Sequence, residues 1–212
     1  MSVAKDERAQ LSDLFVQVGP DQPTLCGEWT TRDLAAHLVV RERRPDAAGG
    51  ILLKPLAGYL ARVQAKIAAK PWDELVRLVR TGPPAYSPYA LLDDLVNTTE
   101  FFVHHEDVRR ARPGWAPRPA DAERDKALWV ALGRVGRMMF RKSPVGVALR
   151  TPAGRETPAG REIMARRGPN TVAVVGEPGE LLLYAFGRDQ AVVEFEGEQS
   201  AIGVVRGLSR GL

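Results

Sequence analysis

Apolar residues recur at helical spacing through the first part of the chain. The clearest helical face has intervals of three and four residues and comprises Leu11, Leu14, Phe15 and Val18. The same kind of pattern predicts further helices over residues 30–44, 56–70 with a short continuation over 72–79, 88–112 and 121–140. Four or five helices joined by short connections are typical of a helical bundle.

Two of these predicted helices begin at residues that favour a helix start. Thr30 and Asp33 have the spacing of a capping box, in which each side chain binds the backbone amide of the other residue. Ser87 is a good N-cap, and it precedes Pro88, which suits the first position of a helix. The helix that begins there is predicted to end at residues 113–114, a proline followed by a glycine.

The pattern changes after about residue 143, where short β-rich segments appear. The segments expected to form strands cover residues 146–150, 171–175 and 191–197. Apolar stretches at residues 177–187 and 200–208 predict two short helices. We therefore predict a mainly α protein, with a helical bundle over residues 1–142 and a small α/β (α+β) C-terminal domain over residues 143–212.

Composition and charge indicate where the protein is located and which classes of partner it has, but they do not identify a function. The 212 residues are 44% hydrophobic and 26% charged, with a net charge of +4. No segment approaches the roughly 18 apolar residues that cross a bilayer, and the charged N-terminus lacks a signal-peptide core. We therefore expect a cytoplasmic protein without a membrane partner. The arginines are scattered among acidic residues, and no RNA-binding or helix-turn-helix motif occurs, so we expect no nucleic-acid partner. The positive net charge suits a solvated surface or a pocket for an anionic small molecule.

The histidine and cysteine content limits the possible chemistry. Cys26 is the only cysteine, which excludes an intrachain disulfide and a zinc site built from several thiolates. We expect Cys26 to pack within a loop and not to act as a nucleophile. The histidines are His37, His104 and His105. Since all three fall in the motifs described below, a separate Ser–His–Asp or Cys–His system would have no base.

Glu100, His104 and Asp107 have a spacing that brings them to one edge of a predicted helix. Residues four apart in a helix lie one turn above each other, so Glu100 and His104 point the same way and would bind one ion together. Asp107 lies three residues beyond His104, on nearly the same edge. His105 is rotated by about 100° from His104 and is therefore not expected to share the site.

His37 offers a third inward residue. It lies between Leu34 and Leu38 on another predicted helix and would share their buried face. Two histidines and a glutamate would leave the fourth position of a zinc ion open, as in catalytic zinc sites. The same ligands also accept nickel, iron or manganese. From spacing alone, a hydrogen-bonded core histidine and a Glu–His ion pair at the helix edge remain open as alternatives.

Three segments resemble motifs of one protein family. Residues 27–42, GEWTTRDLAAHLVVRE, resemble the G-W-T-x-x-D-L-x-A-H-L motif of actinobacterial proteins related to mycothiol-dependent maleylpyruvate isomerase. Residues 100–111, EFFVHHEDVRRA, are similar to the E-x-x-x-H-x-x-D motif of the same proteins. Residues 176–188, GEPGELLLYAFGR, resemble a segment of their C-terminal α/β domain. These proteins belong to the DinB-like metal-binding superfamily, and the resemblance implies a DinB-like four-helix bundle followed by the small α/β domain.

The resemblance also implies a ligand set and a type of reaction. The family's metal, usually zinc, is held by residues that correspond to His37, Glu100 and His104. Asp107 matches the last residue of the second motif and is expected either to support a ligand or to act at the end of the helix, and not to bind the metal. The implied activity is that of a mycothiol-dependent isomerase or S-transferase, in which a metal-activated thiolate attacks a small electrophilic substrate.

Two other functions are compatible with the same ligands. One is a metal-binding or sensor protein without turnover, and the other is a metal-dependent hydrolase of the same fold. An anionic substrate would need a cation near the metal, and the candidates are Arg41, one helical turn after His37, and Arg188 of the C-terminal motif. Either arginine would alternatively form a surface or interdomain ion pair.

Overall fold

The contacts of the chain divide it into two compact units. The computed structural model describes residues 2–51, 53–84, 87, 94–153 and 160–210. The units are Met1–Trp115 and Ala116–Leu212. The predicted domain boundary at residues 142 and 143 lies farther along the chain, so the helix Ala122–Met139 belongs to the second unit. A C-terminal domain of residues 143–212 that folds on its own stays a prediction.

The first unit is helical in its described residues. Its helices are α1 (Val3–Val18), α2 (Thr31–Arg43), the single turn α3 (Pro45–Ala48), α4 (Ala57–Ala68), α5 (Trp72–Thr81) and α6 (Asp94–Arg109). Two 3-10 turns, Gly49–Ile51 and Lys54–Leu56, connect α3 to α4. Each of these α-helices except the short α3 was predicted from apolar spacing.

The predicted capping box at the start of α2 is confirmed. The backbone amide of Asp33 donates to Thr30 Oγ1 over 3.4 Å, and the amide of Thr30 donates to Asp33 Oδ2 over 3.0 Å. These bonds satisfy amides that have no partner within the helix and fix the residue at which α2 begins. The start of α2 in turn fixes the rotation at which His37 leaves the helix.

The limits of α6 differ from the prediction. The predicted start at Pro88 lies outside the described residues. The helix ends at Arg109 and not at residues 113–114, and Arg110 begins a turn. The proline at position 113 disfavours helical geometry at the residue before it, which favours an earlier end.

Helices α1, α2, α5 and α6 of the first unit supply the buried residues of one apolar core. α1 packs on α5 and α6, and α2 packs on α4 and α5. The buried residues of this core are Leu11, Phe15, Leu34, Ala35, Leu38, Val39, Leu75, Val76, Val79, Phe101 and Val108. Because Leu34 and Leu38 are both fully buried, His37 between them is also turned inward, with 9% of its surface exposed.

The second unit combines three helices with a four-stranded sheet. The helices are α7 (Ala122–Met139), α8 (Pro178–Ala185) and α9 (Gln199–Arg206). The strands are β1 (Val147–Arg150), β2 (Glu162–Arg166), β3 (Val172–Val175) and β4 (Glu194–Glu196), in the order β2-β1-β3-β4. β1 is antiparallel to β2 and parallel to β3, and β3 is antiparallel to β4. The predicted mixture of helices with a small sheet is therefore confirmed.

Strand β2 was not predicted from the sequence. Its residues alternate, with Glu162, Met164 and Arg166 exposed and Ile163 and Ala165 more buried. Only two apolar side chains therefore face inward, which is too few for a clear strand pattern. Gly136 allows α7 to approach the sheet closely, because a Cβ at that position would lie 3.0 Å from Leu149 Cδ1.

Within the described ranges, no helix combines the length and the apolar character that crossing a bilayer requires.

Candidate metal centre

His37, Glu100 and His104 meet between α2 and α6. Nε2 of His37 lies 3.3 Å from Oε1 of Glu100, and Nε2 of His104 lies 3.4 Å from the same oxygen. The two imidazole rings face each other edge to face, with centroids 5.4 Å apart. Glu100 and His104 are one turn apart on α6, as their spacing predicted, whereas His37 comes from a helix 63 residues earlier in the chain.

The separations of these atoms suit ligands of one ion better than strong hydrogen bonds. Ligand atoms about 2.0–2.1 Å from a tetrahedral zinc are about 3.3–3.4 Å apart. The distances from the two histidine nitrogens to Oε1 of Glu100, 3.3 and 3.4 Å, equal that separation. They are long for hydrogen bonds between nitrogen and oxygen, which cluster near 2.9–3.0 Å. The donor set therefore fits a zinc ion.

The three side chains are largely buried, but each keeps some contact with solvent. The exposed fractions of the side chains are 11% for His37, 24% for Glu100 and 13% for His104. Trp29 of the loop before α2 packs against His37, with ring centroids 5.2 Å apart. A small molecule can therefore reach the glutamate, while the surrounding apolar residues keep the local polarity low and strengthen electrostatic interactions.

Asp107 and Cys26 lie on the other side of His104. Oδ2 of Asp107 is 2.9 Å from Nδ1 of His104, and its side chain is completely buried. The thiol of Cys26 donates to the same oxygen over 3.0 Å. The backbone amide of Leu25 donates to the carbonyl of Asp107 over 3.0 Å, which ties the loop that carries Cys26 to α6. A carboxylate that binds Nδ1 fixes the tautomer and orientation of the imidazole and leaves Nε2 free for a ligand.

Cys26, His104 and Asp107 also form a possible ligand set, through Nδ1 of His104. The distance of 2.9 Å from Nδ1 to the Asp107 oxygen is that of an ordinary hydrogen bond, and it is shorter than the separation expected for two ligands of one zinc. The distance from Cys26 Sγ to Nδ1 is 3.7 Å. These residues therefore fit better as a hydrogen-bonded support for His104 than as an ion site.

Arg41 places a positive charge beside the glutamate. Its Nε lies 3.4 Å from Oε1 of Glu100, and its Nη1 donates to Oδ1 of Asn97 over 3.1 Å. Only 4% of the surface of Arg41 is exposed. Its position one turn after His37 thus brings it to the cluster, as the sequence suggested.

Burial and hydrogen bonding set the charge of the three candidate ligands. Burial opposes ionisation of Glu100, but hydrogen bonds with the two histidines outweigh it and hold the pKa of Glu100 well below its ordinary value. Burial likewise opposes protonation of His104, but the hydrogen bond to Asp107 contributes to a pKa of His104 well above its ordinary value. At His37 burial prevails, and the pKa is lowered. Without a metal, these shifts favour the ionised form of Glu100, the protonated form of His104 and the neutral form of His37.

His105 points away from this cluster, as its rotation on the helix predicted. Its Nδ1 lies 2.9 Å from Oε2 of Glu7 on α1, and both side chains are buried. This pair has the same chemistry and length as the pair of His104 with Asp107, but it lies outside the candidate ligand set.

The structure adds two residues, Cys26 and Asn97, that sequence reasoning did not assign to the site. Cys26 was expected to pack within a loop; it packs against the apolar core, and its thiol donates to Asp107, the hydrogen-bond partner of His104. Asn97 is a further contact, through Arg41. A weak signal for Asn97 was its position one turn before Glu100 on the predicted helix face. Arg188 lies in the second unit, where it donates to the carbonyl of Phe186 over 2.7 Å.

Comparisons with known proteins bear on the fold. No family model matches the chain, and no curated protein sequence matches it significantly. A solved structure of the mycothiol-dependent maleylpyruvate isomerase superposes with a TM-score of 0.61 at 15% sequence identity, over 92% of this chain and 91% of that chain. A histidine-to-alanine variant of that enzyme gives a TM-score of 0.63, with the same identity and coverage. This chain therefore shares the fold of mycothiol-dependent maleylpyruvate isomerase, the enzyme to whose relatives its sequence motifs are similar.

Proposed function

We propose that this protein is a zinc-dependent enzyme of the DinB-like four-helix-bundle type that uses mycothiol in an isomerisation or S-transfer on a small, anionic electrophile. His37, Glu100 and His104 would hold the metal. The observation that carries the proposal is the convergence of three ligand atoms from two helices, all within 4.8 Å of one another. The two histidine nitrogens lie 3.3 and 3.4 Å from Oε1 of Glu100, which suits ligands of one zinc. The fold shared with a mycothiol-dependent isomerase supports the choice of thiol.

A divalent metal bound by two neutral histidines and one carboxylate supplies a Lewis acid that lowers the pKa of a thiol or water at its open position. The remaining charges of the cluster favour an anion there. Arg41 is positive, and the negative charge of Asp107 is shared with His104 through their hydrogen bond. A divalent ion would therefore leave the centre positive overall, which suits a thiolate or a substrate carboxylate.

The chain's own residues would have distinct tasks. Asp107 would hold His104 in the tautomer that presents Nε2, and Cys26 would hold Asp107 through its thiol proton. Arg41 would keep Glu100 ionised and receive a carboxylate of the substrate. Arg188 is proposed as a second anion-binding residue on the basis of its sequence motif.

Metal analysis of the purified protein tests the ligand set. Wild-type protein should contain about one equivalent of zinc, and the His37→Ala and His104→Ala variants should each lose most of it. The matched control is His105→Gln, which replaces the neighbouring histidine but keeps a donor for Glu7. Equal zinc content in all four proteins would remove the proposed site.

Thiol dependence tests the reaction separately from the metal. Mycothiol should raise the melting temperature of the zinc-loaded wild type but not that of His104→Ala, and it should be required for turnover of maleylpyruvate or of a chromogenic S-transfer substrate. Zinc binding without any effect of mycothiol would favour the binding protein or the hydrolase. An Arg41→Gln variant should raise KM for an anionic substrate more than it changes kcat, because it removes a binding charge.

A further inference from the structure

Four arginines converge on one surface pocket of the second unit. The pocket has a volume of about 410 Å³ and is lined by Arg137, Arg141, Met164, Ala165, Arg166 and Arg167. Two of the arginines come from the end of α7 and the residues that follow it, and two come from β2 and the residue after it. All four arginine side chains are exposed. The volume lies within the range of about 300–1,000 Å³ that small-molecule sites occupy.

The positive charge of this pocket has no neutralising partner in the described part of the chain. Arg137, Arg141 and Arg167 form no ion pair with any described carboxylate, and no acidic residue lines the pocket. Glu162, the acidic residue of β2, is already bound by Arg150 over 2.8 and 3.0 Å. The sequence has the same bias, because residues 126–155 and 163–176 contain no aspartate or glutamate.

One of the four guanidinium groups contacts the backbone. Nε of Arg166 donates to the carbonyl of Ser143 over 3.3 Å, which leaves its two terminal nitrogens as donors. Met164 adds an apolar surface beside the arginines. A guanidinium that donates through Nε still presents a fork that matches two oxygens of a phosphate.

Ordinary structural roles explain these arginines only in pairs. Arg137 and Arg141 lie near the C-terminus of α7, where cations interact favourably with the helix dipole. Arg166 and Arg167 lie at an edge strand of the sheet, where charged side chains discourage pairing with other chains. Neither role requires the two pairs to share one concave surface without a carboxylate, and their mutual repulsion there is unfavourable.

We propose that this pocket binds an oligophosphate chain, either free or as the phosphate part of a nucleotide. Several adjacent guanidinium groups match a ligand that carries several negative charges on neighbouring phosphates. A nucleic acid is less well matched, because its binding relies on many phosphate contacts along the strand, whereas these four arginines line one compact pocket. The lining also lacks an aromatic side chain on which a base would stack.

Calorimetric titration with inorganic tripolyphosphate tests the proposal. The wild type should bind it saturably with a stoichiometry of one. The double variant Arg137→Gln/Arg166→Gln should bind at least about tenfold more weakly, because it loses two charge-assisted contacts. The matched control is Lys66→Gln/Arg77→Gln, which removes two exposed positive charges from the first unit and should leave the affinity within about twofold of the wild type.

The two sources of the phosphate chain are distinguished by ATP. Equal affinity for ATP and tripolyphosphate would identify the phosphates alone as the ligand, and tighter binding of ATP would identify a nucleotide. Either result supports the proposal if it depends on Arg137 and Arg166. Capture of zinc by tripolyphosphate would not depend on these arginines, so the test is independent of the metal centre.

Three results would overturn the proposal. The first is no saturable binding of tripolyphosphate or ATP. The second is an equal loss of affinity in the control variant, which would mean that only the net charge matters. The third is tight, arginine-dependent binding of a single-stranded oligonucleotide by a protein that does not bind tripolyphosphate.

Discussion

Replacing Asp107 by asparagine would test whether the metal is bound through Nε2 of His104. The carboxylate is completely buried and accepts a hydrogen bond from Nδ1 of His104 over 2.9 Å. Asparagine keeps the size of the side chain and an oxygen acceptor, but it removes the negative charge. The imidazole would then be a weaker base and a less strictly oriented ligand.

The hydrogen bond between Asp107 and His104 determines how much zinc affinity the substitution should remove. Loss of a partner that orients a metal-binding histidine weakens metal affinity by about 10- to 100-fold, equivalent to about 1.4–2.7 kcal/mol. A neutral acceptor keeps part of a charge-assisted bond, so Asp107→Asn should fall near the lower end of this range. Asp107→Ala, which also leaves the thiol of Cys26 without its acceptor, should fall near the upper end.

A competition titration against a chromogenic zinc chelator at fixed pH would measure this change. The matched control is Glu7→Gln, because Glu7 is likewise buried and contacts Nδ1 of His105 over 2.9 Å, but outside the ligand set. Glu7→Gln should lower thermal stability and leave zinc affinity within about twofold. If Asp107→Asn binds zinc as tightly as the wild type, or if both variants lose affinity equally, Asp107 does not hold His104 for metal binding through Nε2.

Three further outcomes are expected. Zinc binding near neutral pH should release about one proton, because the pKa of His104 is raised whereas that of His37 is lowered. Zinc affinity should therefore rise with pH until the pH passes the raised pKa of His104. Calorimetry in buffers of different ionisation enthalpy measures the protons released, and binding without proton release would contradict this prediction. Thr30→Ala should lower the free energy of unfolding by about 1 kcal/mol in a denaturant titration, since it removes the capping box of α2, and no change would argue against that contribution. Cys26→Ser should keep zinc affinity within about threefold of the wild type, because a hydroxyl also donates to Asp107. A loss of affinity as large as that of His37→Ala would instead place the metal on the Cys26 side of His104.

The sequence alone determined the features that depend on neighbours along the chain. Apolar spacing located α1, α2, α4, α5 and α7, and the capping residues fixed the start of α2, because both effects act within a few residues. The helical repeat also separated the roles of His104 and His105, since consecutive residues on a helix point about 100° apart. Strand β2 was missed because its pattern depends on packing against α7, which the local sequence does not show.

The composition of the candidate site was only partly accessible from the sequence. Glu100 and His104 share a helix, so their spacing is a local property. Their approach to His37 brings together residues 63 positions apart, and the sequence supported it only through inward orientation and family resemblance. The tertiary structure decided that Cys26 contacts Asp107, 81 residues away, because that contact depends on where the loop before α2 meets α6.

The arginine pocket likewise combines a feature that the sequence shows with one that only the tertiary structure decides. The sequence shows two segments without acidic residues, but it contains no periodicity that would align Arg137 with Arg166. Their convergence follows from the packing of α7 beside β2, in which Gly136 allows close approach to the sheet. Local sequence determined helices, caps and the direction of side chains, because these depend on short-range sterics and hydrogen bonds. The tertiary structure alone decided which distant side chains share a site, because that depends on how the buried faces of those elements pack together.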